Sequence, residues 1–186
     1  MVGANNLDTS VLKSKRMINI DSEEDDTMTV SCAGGADFLA TFNFQRELVE
    51  GIEIELIIKG LKGGHSGIEI DKGRVNANIL AGRVLNHLKT TDFNLLSVNG
   101  GDKTNAITNL CRINLCVNNK DKFIKVATEY LEIIKNEIVA RESDFDYQIN
   151  VLGNGEFKGI NKESANAIIY ALTCIPNGVL DMSAEI

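Results

Sequence analysis

Ile52-Glu53-Ile54-Glu55-Leu56-Ile57-Ile58 opens with strict apolar–acidic alternation. It runs directly into Gly60-Leu61-Lys62-Gly63-Gly64-His65-Ser66-Gly67. The alternation predicts a strand with one face in a core and the other in water. The glycines predict a loop that leaves the regular pattern, and a helix is expected over 73–88. Ala77, Leu80, Ala81, Val84, Leu85 and Leu88 form one stripe there at helical spacing. A strand over 93–98 follows, closed by Asn99-Gly100-Gly101. The next strand, over 106–117, sets Cys111, Ile113, Leu115 and Val117 on one face and Arg112, Asn114 and Cys116 on the other. A long helix over 120–141 turns Phe123, Val126, Ala127, Tyr130, Ile134 and Ile138 inward. A last strand over 145–152 is expected to break at Gly153-Asn154-Gly155. The order strand, helix, strand, strand, helix, strand predicts an α+β fold. It is a ferredoxin-like β-α-β-β-α-β sandwich, with an antiparallel sheet and both helices on one face.

Working outward, Met17-Ile18-Asn19-Ile20-Asp21 reads as a short buried strand ending on an acidic turn. Segments 27–30 and 38–44 read as further strands around Cys32-Ala33-Gly34-Gly35. On the other side, Asn161 is placed to cap a helix over 162–174 that stops before Pro176, outside the sandwich. Both flanks read as pieces of an α/β catalytic domain. The expected division is therefore 1–45 as the end of one catalytic segment, 46–160 as an inserted lid and dimerisation domain, and 161–186 as the start of a second catalytic segment.

The 186 residues are 44% hydrophobic, enough for a packed core, and carry a net charge of -7. The charge, with no cluster of Lys and Arg, argues against a nucleic-acid partner. No apolar stretch approaches the length of a membrane span, and the first residues have no signal-peptide pattern. Of the cysteines at 32, 111, 116 and 174, only Cys111 and Cys116 are close, and no histidine stands beside them. A zinc site or disulfide framework is not expected from them. Reduced thiols in a cytoplasmic protein are.

Three residues are candidates for chemistry. Asp21 is either part of a solvated acidic turn or, at a strand's C-terminal end, a carboxylate ligand for a divalent metal. His65 is flanked by glycines that let the loop approach a ligand closely, and its imidazole can donate to a carbonyl or a developing oxyanion. Asn105 is either a turn asparagine bonded to its own backbone or an amide for a substrate carboxylate. His87, late in its helix, reads as a surface or dipole-compensating residue.

The motifs Asn19-Ile20-Asp21-Ser22-Glu23-Glu24, Cys32-Ala33-Gly34-Gly35 and Gly60-Leu61-Lys62-Gly63-Gly64-His65-Ser66-Gly67 resemble the bacterial aminoacyl-histidine dipeptidases. These are the Xaa-His, carnosinase-like branch of the dinuclear zinc peptidases. Asn76-Ala77-Asn78, Asn105-Ala106-Ile107 and Pro176-Asn177-Gly178-Val179 extend the resemblance along the chain. It implies a lid that covers a dipeptide substrate and mediates homodimerisation, over a catalytic domain holding two divalent metals, zinc foremost. It also implies Asp21 as a metal ligand, His65 as the lid histidine that polarises the scissile carbonyl, and Asn105 as a substrate contact. The remaining metal ligands and the general base would lie upstream of Met1 and downstream of Ile186. The chain by itself is then expected to be inactive and to bind no metal tightly. One departure stands out: Thr108-Asn109 replaces the family's usual Pro-Arg after Asn-Ala-Ile, which predicts a looser strand start after Asn105. The competing readings are a non-catalytic ferredoxin-like module that binds a ligand or partner, and a piece of a sibling tripeptidase or deacylase.

Overall fold

A computed structural model describes residues 6–16, 18, 26–28, 38–179, 181 and 184. The chain divides into two compact units, 1–40 and 41–186. In the first, Asp8 caps a short 3-10 turn, Thr9–Val11, by accepting from the Ser10 amide at 2.9 Å. Of the expected strand over 17–21 only residue 18 is described, and of that over 27–30 only residues 27 and 28; these three have no regular structure. The segment 38–44 has no regular structure, although a strand was expected. Its backbone pairs with no strand among the described residues.

The second unit contains β1 (Arg46–Lys59), β2 (Gly64–His65), α1 (Ala77–Leu88), β3 (Phe93–Gly100), β4 (Ala106–Ile107), β5 (Cys111–Val117), α2 (Lys120–Ile138), β6 (Asp146–Ile160) and α3 (Lys162–Cys174). The main sheet has the order β3-β5-β1-β6 with every pair antiparallel. That is the ferredoxin-like arrangement expected from the alternating and helical stripes. Ile54, Leu56 and Ile58 of β1 are fully buried, as are Ile113 and Leu115 opposite them. They meet Leu80, Val84 and Leu85 of α1 and Phe123, Leu131 and Ile134 of α2 in one core. Both helices therefore cover the same face. The helix-free face is polar, with Asn114 donating to Glu53 at 3.1 Å and Asn150 to Glu55 at 3.0 Å.

Each helix begins on an asparagine whose side chain accepts a first-turn amide: Asn76 from Asn78, Asn119 from Lys122, and Asn161 from Ser164. Such caps are each worth about 1 kcal/mol.

Several boundaries differ from the sequence reading, for local reasons. Helix α1 starts at Ala77, not 73, because a 3-10 turn at Ile70–Lys72 and left-handed Gly73 intervene. The strand expected over 106–117 is split into β4 and β5, since the Thr108 carbonyl turns away to accept the Ala77 amide at 2.8 Å. Helix α2 ends at Ile138, whose carbonyl takes the amides of Arg141 and Glu142. Gly153 does not end β6. With φ at +145° it absorbs a register shift opposite Glu53 and Ile54, and pairing with β1 continues to Ile160.

Helix α3 was expected to lie outside the sandwich. It packs on α1, where Ala165 and Ile169 reach the core. Gly82 of α1 permits this: a Cβ there would sit 2.8 Å from the carbonyl carbon and Cβ of Leu172.

Candidate functional site: the His65 loop

The loop between β1 and α1 is pinned at both ends by one residue, Glu142. This carboxylate is 1% exposed. It accepts the Lys62 amide at 2.8 Å and the Val75 amide at 3.0 Å. The intervening segment is thus held like a strap across a fixed span.

Inside that span, β2 pairs antiparallel with β4, setting Gly64 opposite Ile107 and His65 opposite Ala106. The Ser66 amide donates to the Asn105 carbonyl at 3.0 Å. Residues 65 and 105, chosen separately in the sequence, are therefore brought to one place. The backbone of Asn105 makes this link, while its side chain belongs to an exposed residue. Asp21 lies outside the described residues. His87 is exposed near the end of α1 and stacks on Tyr130 of α2, with ring centres 3.9 Å apart.

His65 is exposed, and its orientation is defined by its own loop. Its Nδ1 accepts the Gly67 amide at 3.0 Å and the Ile68 amide at 3.1 Å. An imidazole nitrogen that accepts bears no proton, so in the neutral ring the proton is on Nε2. Nε2–H is left as a hydrogen-bond donor on an exposed loop. This is the form that can meet a carbonyl oxygen or an oxyanion.

Two residues missed in the sequence support this loop. Glu69 Oε2 accepts the His65 amide at 2.9 Å, and the Glu69 amide donates to the His65 carbonyl at 3.1 Å. Oε1 of the same carboxylate takes Arg74 at 2.7 Å and Lys72 at 2.9 Å. Arg74 reaches on to the Gly63 carbonyl. The Lys72 hydrogen bond foremost, then the His65 amide, pull the Glu69 carboxyl down to about 2. Gly64, at φ +131°, lies beneath this ion pair; a Cβ there would collide with Arg74 Nη1 and Glu69 Oε2. An acidic residue four places after a histidine in a glycine-rich turn, with an arginine beyond it, was the available signal.

A cleft of about 650 Å³ opens beside β2 and β4. Gly64, Lys103, Thr108, Asn109 and Arg112 are among its walls, with the Asn99-Gly100-Gly101 turn. Arg112 also approaches Glu55 at 3.4 Å.

No group of three or more His, Cys, Asp or Glu is placed to hold a metal among the described residues. The described residues therefore do not build a metal centre. Cys111, Cys116 and Cys174 are free thiols. Among the described residues no helix is long and apolar enough to cross a membrane.

Residues 56–169 match the peptidase dimerisation domain of the M20 family. The chain is 37% identical over 185 residues to the cytosol non-specific dipeptidase of Escherichia coli (strain K12), covering 97% of this chain and 38% of that protein. It superposes on the crystal structure of aminoacylhistidine dipeptidase from Vibrio alginolyticus with a TM-score of 0.73 and 33% identity, covering 78% of this chain and 30% of that one. The chain thus spans little more than a third of the dipeptidase it matches. Its sheet order, its glycine-rich His65 loop and these matches agree: the chain belongs to the M20 peptidase dimerisation-domain family.

Proposed function

We propose that this chain is the lid-bearing part of an M20 dipeptidase and that His65 is the donor the lid carries to the substrate. The observation behind this reading is that His65 Nδ1 accepts two backbone amides, which leaves Nε2–H as a donor on an exposed loop. When water adds to a peptide carbonyl, negative charge develops on oxygen. A donor already oriented toward that position stabilises the charge without reorganising. Asn105, joined to the same loop through Ser66, would contact substrate beside it.

Under this reading residues 46–160 are the lid, flanked by catalytic-domain pieces at 1–45 and 161–186. Asp21 would ligate one of two divalent metals, zinc foremost, with the other ligands supplied by parts of a longer protein. The chain alone would be inactive. It would pair with a second copy through the lid, whose exposed edges are β3 and β6. The matched dipeptidase is cytosolic, which supports a cytoplasmic setting.

Two substrate ranges have support. The Vibrio alginolyticus structure is of an aminoacylhistidine dipeptidase, and the resemblance of the sequence motifs agrees with Xaa-His dipeptides. The Escherichia coli relative is a non-specific dipeptidase, which favours a broader range. Assaying the intact enzyme with β-alanyl-histidine, other dipeptides, tripeptides and acylated amino acids separates these. Xaa-His hydrolysis well above the rest supports the narrow reading. Tripeptide or deacylase activity without dipeptidase activity overturns both.

A further inference from the structure

We propose that Glu69, held by Arg74, is a positioning residue that sets the tautomer and direction of the His65 ring. The inference rests on His65 being the lid's donor and adds the residues that aim it.

The two donors that fix Nδ1 are the amides of Gly67 and Ile68, both within the turn that starts at His65. The ring therefore keeps its tautomer only while this turn keeps its shape. Glu69 closes the turn from both directions. Its side chain accepts from the His65 amide and its own amide donates to the His65 carbonyl. As in a capping box, an acidic side chain reaches back to the amide that opens the turn; here the second bond is backbone to backbone.

A carboxylate near the surface would not hold one geometry unaided. Arg74 supplies the constraint. Its guanidinium donates to Glu69 Oε1 at 2.7 Å and also to the Gly63 carbonyl. The connection runs from Gly63 through Arg74 and Glu69 to His65, bracketing Gly64. Gly64 lies against the pair: the space a Cβ would need is occupied by the ends of the Arg74 and Glu69 side chains. Lys72, on Oε1 at 2.9 Å, adds charge from the exposed side.

The test reads the ring itself. Long-range proton–nitrogen NMR of this chain, at mildly alkaline pH, should show His65 with Nδ1 bare and Nε2 protonated. Glu69→Ala should mix the tautomers and draw the two nitrogen shifts together. Glu69→Gln, which keeps an acceptor for the His65 amide, should restore most of the separation. Should Glu69→Ala fail to fold, Arg74→Lys reads the same point, since it keeps the charge and loses the fork.

In the intact enzyme Glu69→Ala should lower kcat about 10- to 100-fold with little change in KM, the scale expected for a displaced catalytic group. Adding Glu69→Ala to His65→Ala should then cost nothing further. An unmoved His65 tautomer in both Glu69→Ala and Arg74→Lys overturns the inference. A full loss with His65→Ala but none with Glu69→Ala also overturns it, and leaves the role of His65 intact. A tautomer change on Glu69→Ala with no activity lost in His65→Ala instead removes the proposed function of His65.

Discussion

Glu142 accepts the backbone amide of Lys62 at 2.8 Å from a position almost closed to solvent. Its other oxygen takes the Val75 amide, so one carboxylate fixes both ends of the His65 loop. Removing it strands two partly buried amides, each left without a partner at a cost of roughly 1–2 kcal/mol, the lower part of the range for unsatisfied groups. Glu142→Ala should therefore lower unfolding stability by about 2–4 kcal/mol. Urea unfolding of the chain checks this. A midpoint equal to that of the original chain would show that the two amides do not depend on Glu142.

Gly82 sets the distance between α1 and α3. Gly82→Ala drives a methyl to 2.8 Å from Leu172 backbone and side-chain atoms, in a contact where neither helix backbone can give cheaply. Overpacking of this kind costs about 1–3 kcal/mol. Hydrogen exchange should show α3 amides opening faster in the variant while the β1–β5 amides keep their protection. Unchanged exchange along α3 would mean that the helices separate without cost.

The Glu69 carboxyl is pulled from the ordinary value of 4.5 to about 2, chiefly by Lys72 and then by the His65 amide. A carboxyl with a lowered folded-state value binds protons more weakly folded than unfolded. Its contribution is fully present above 4.5 and fades as pH falls toward 2. The stability difference between the original chain and Glu69→Gln should thus be level above that window and shrink through it. A difference that grows on acidification would reverse the assignment.

Burial pushes the Cys111 thiol up to about 12, whereas Cys174 is exposed. Thiol labelling followed by site-resolved mass spectrometry should modify Cys174 in the folded chain and Cys111 only on unfolding. Labelling of Cys111 at the rate of Cys174 would place β5 outside the core.

The sandwich was legible because its signals are periodic. Ile54, Leu56 and Ile58 alternate, and the stripe from Ala77 to Leu88 has helical spacing; both patterns survive as buried faces. The errors lie where a single long-range bond outweighs local pattern. Nothing near Thr108 announces that its carbonyl caps α1, and Gly153 reads as a break because its partner on β1 is a hundred residues away in sequence. At the site, His65 and Asn105 stood out through their surrounding glycines. Glu69, Arg74 and Glu142 did not, since each looks like an ordinary surface charge until the fold sets it against a backbone amide or carbonyl.

The role proposed for His65 is tested most directly by kcat/KM of the intact enzyme carrying His65→Ala, assayed with a dipeptide that the unaltered enzyme cleaves. Loss of one oriented oxyanion donor predicts a fall of about 10²–10³-fold, carried mostly by kcat. A kcat/KM equal to that of the unaltered enzyme would contradict that role and leave the His65 loop as a structural turn.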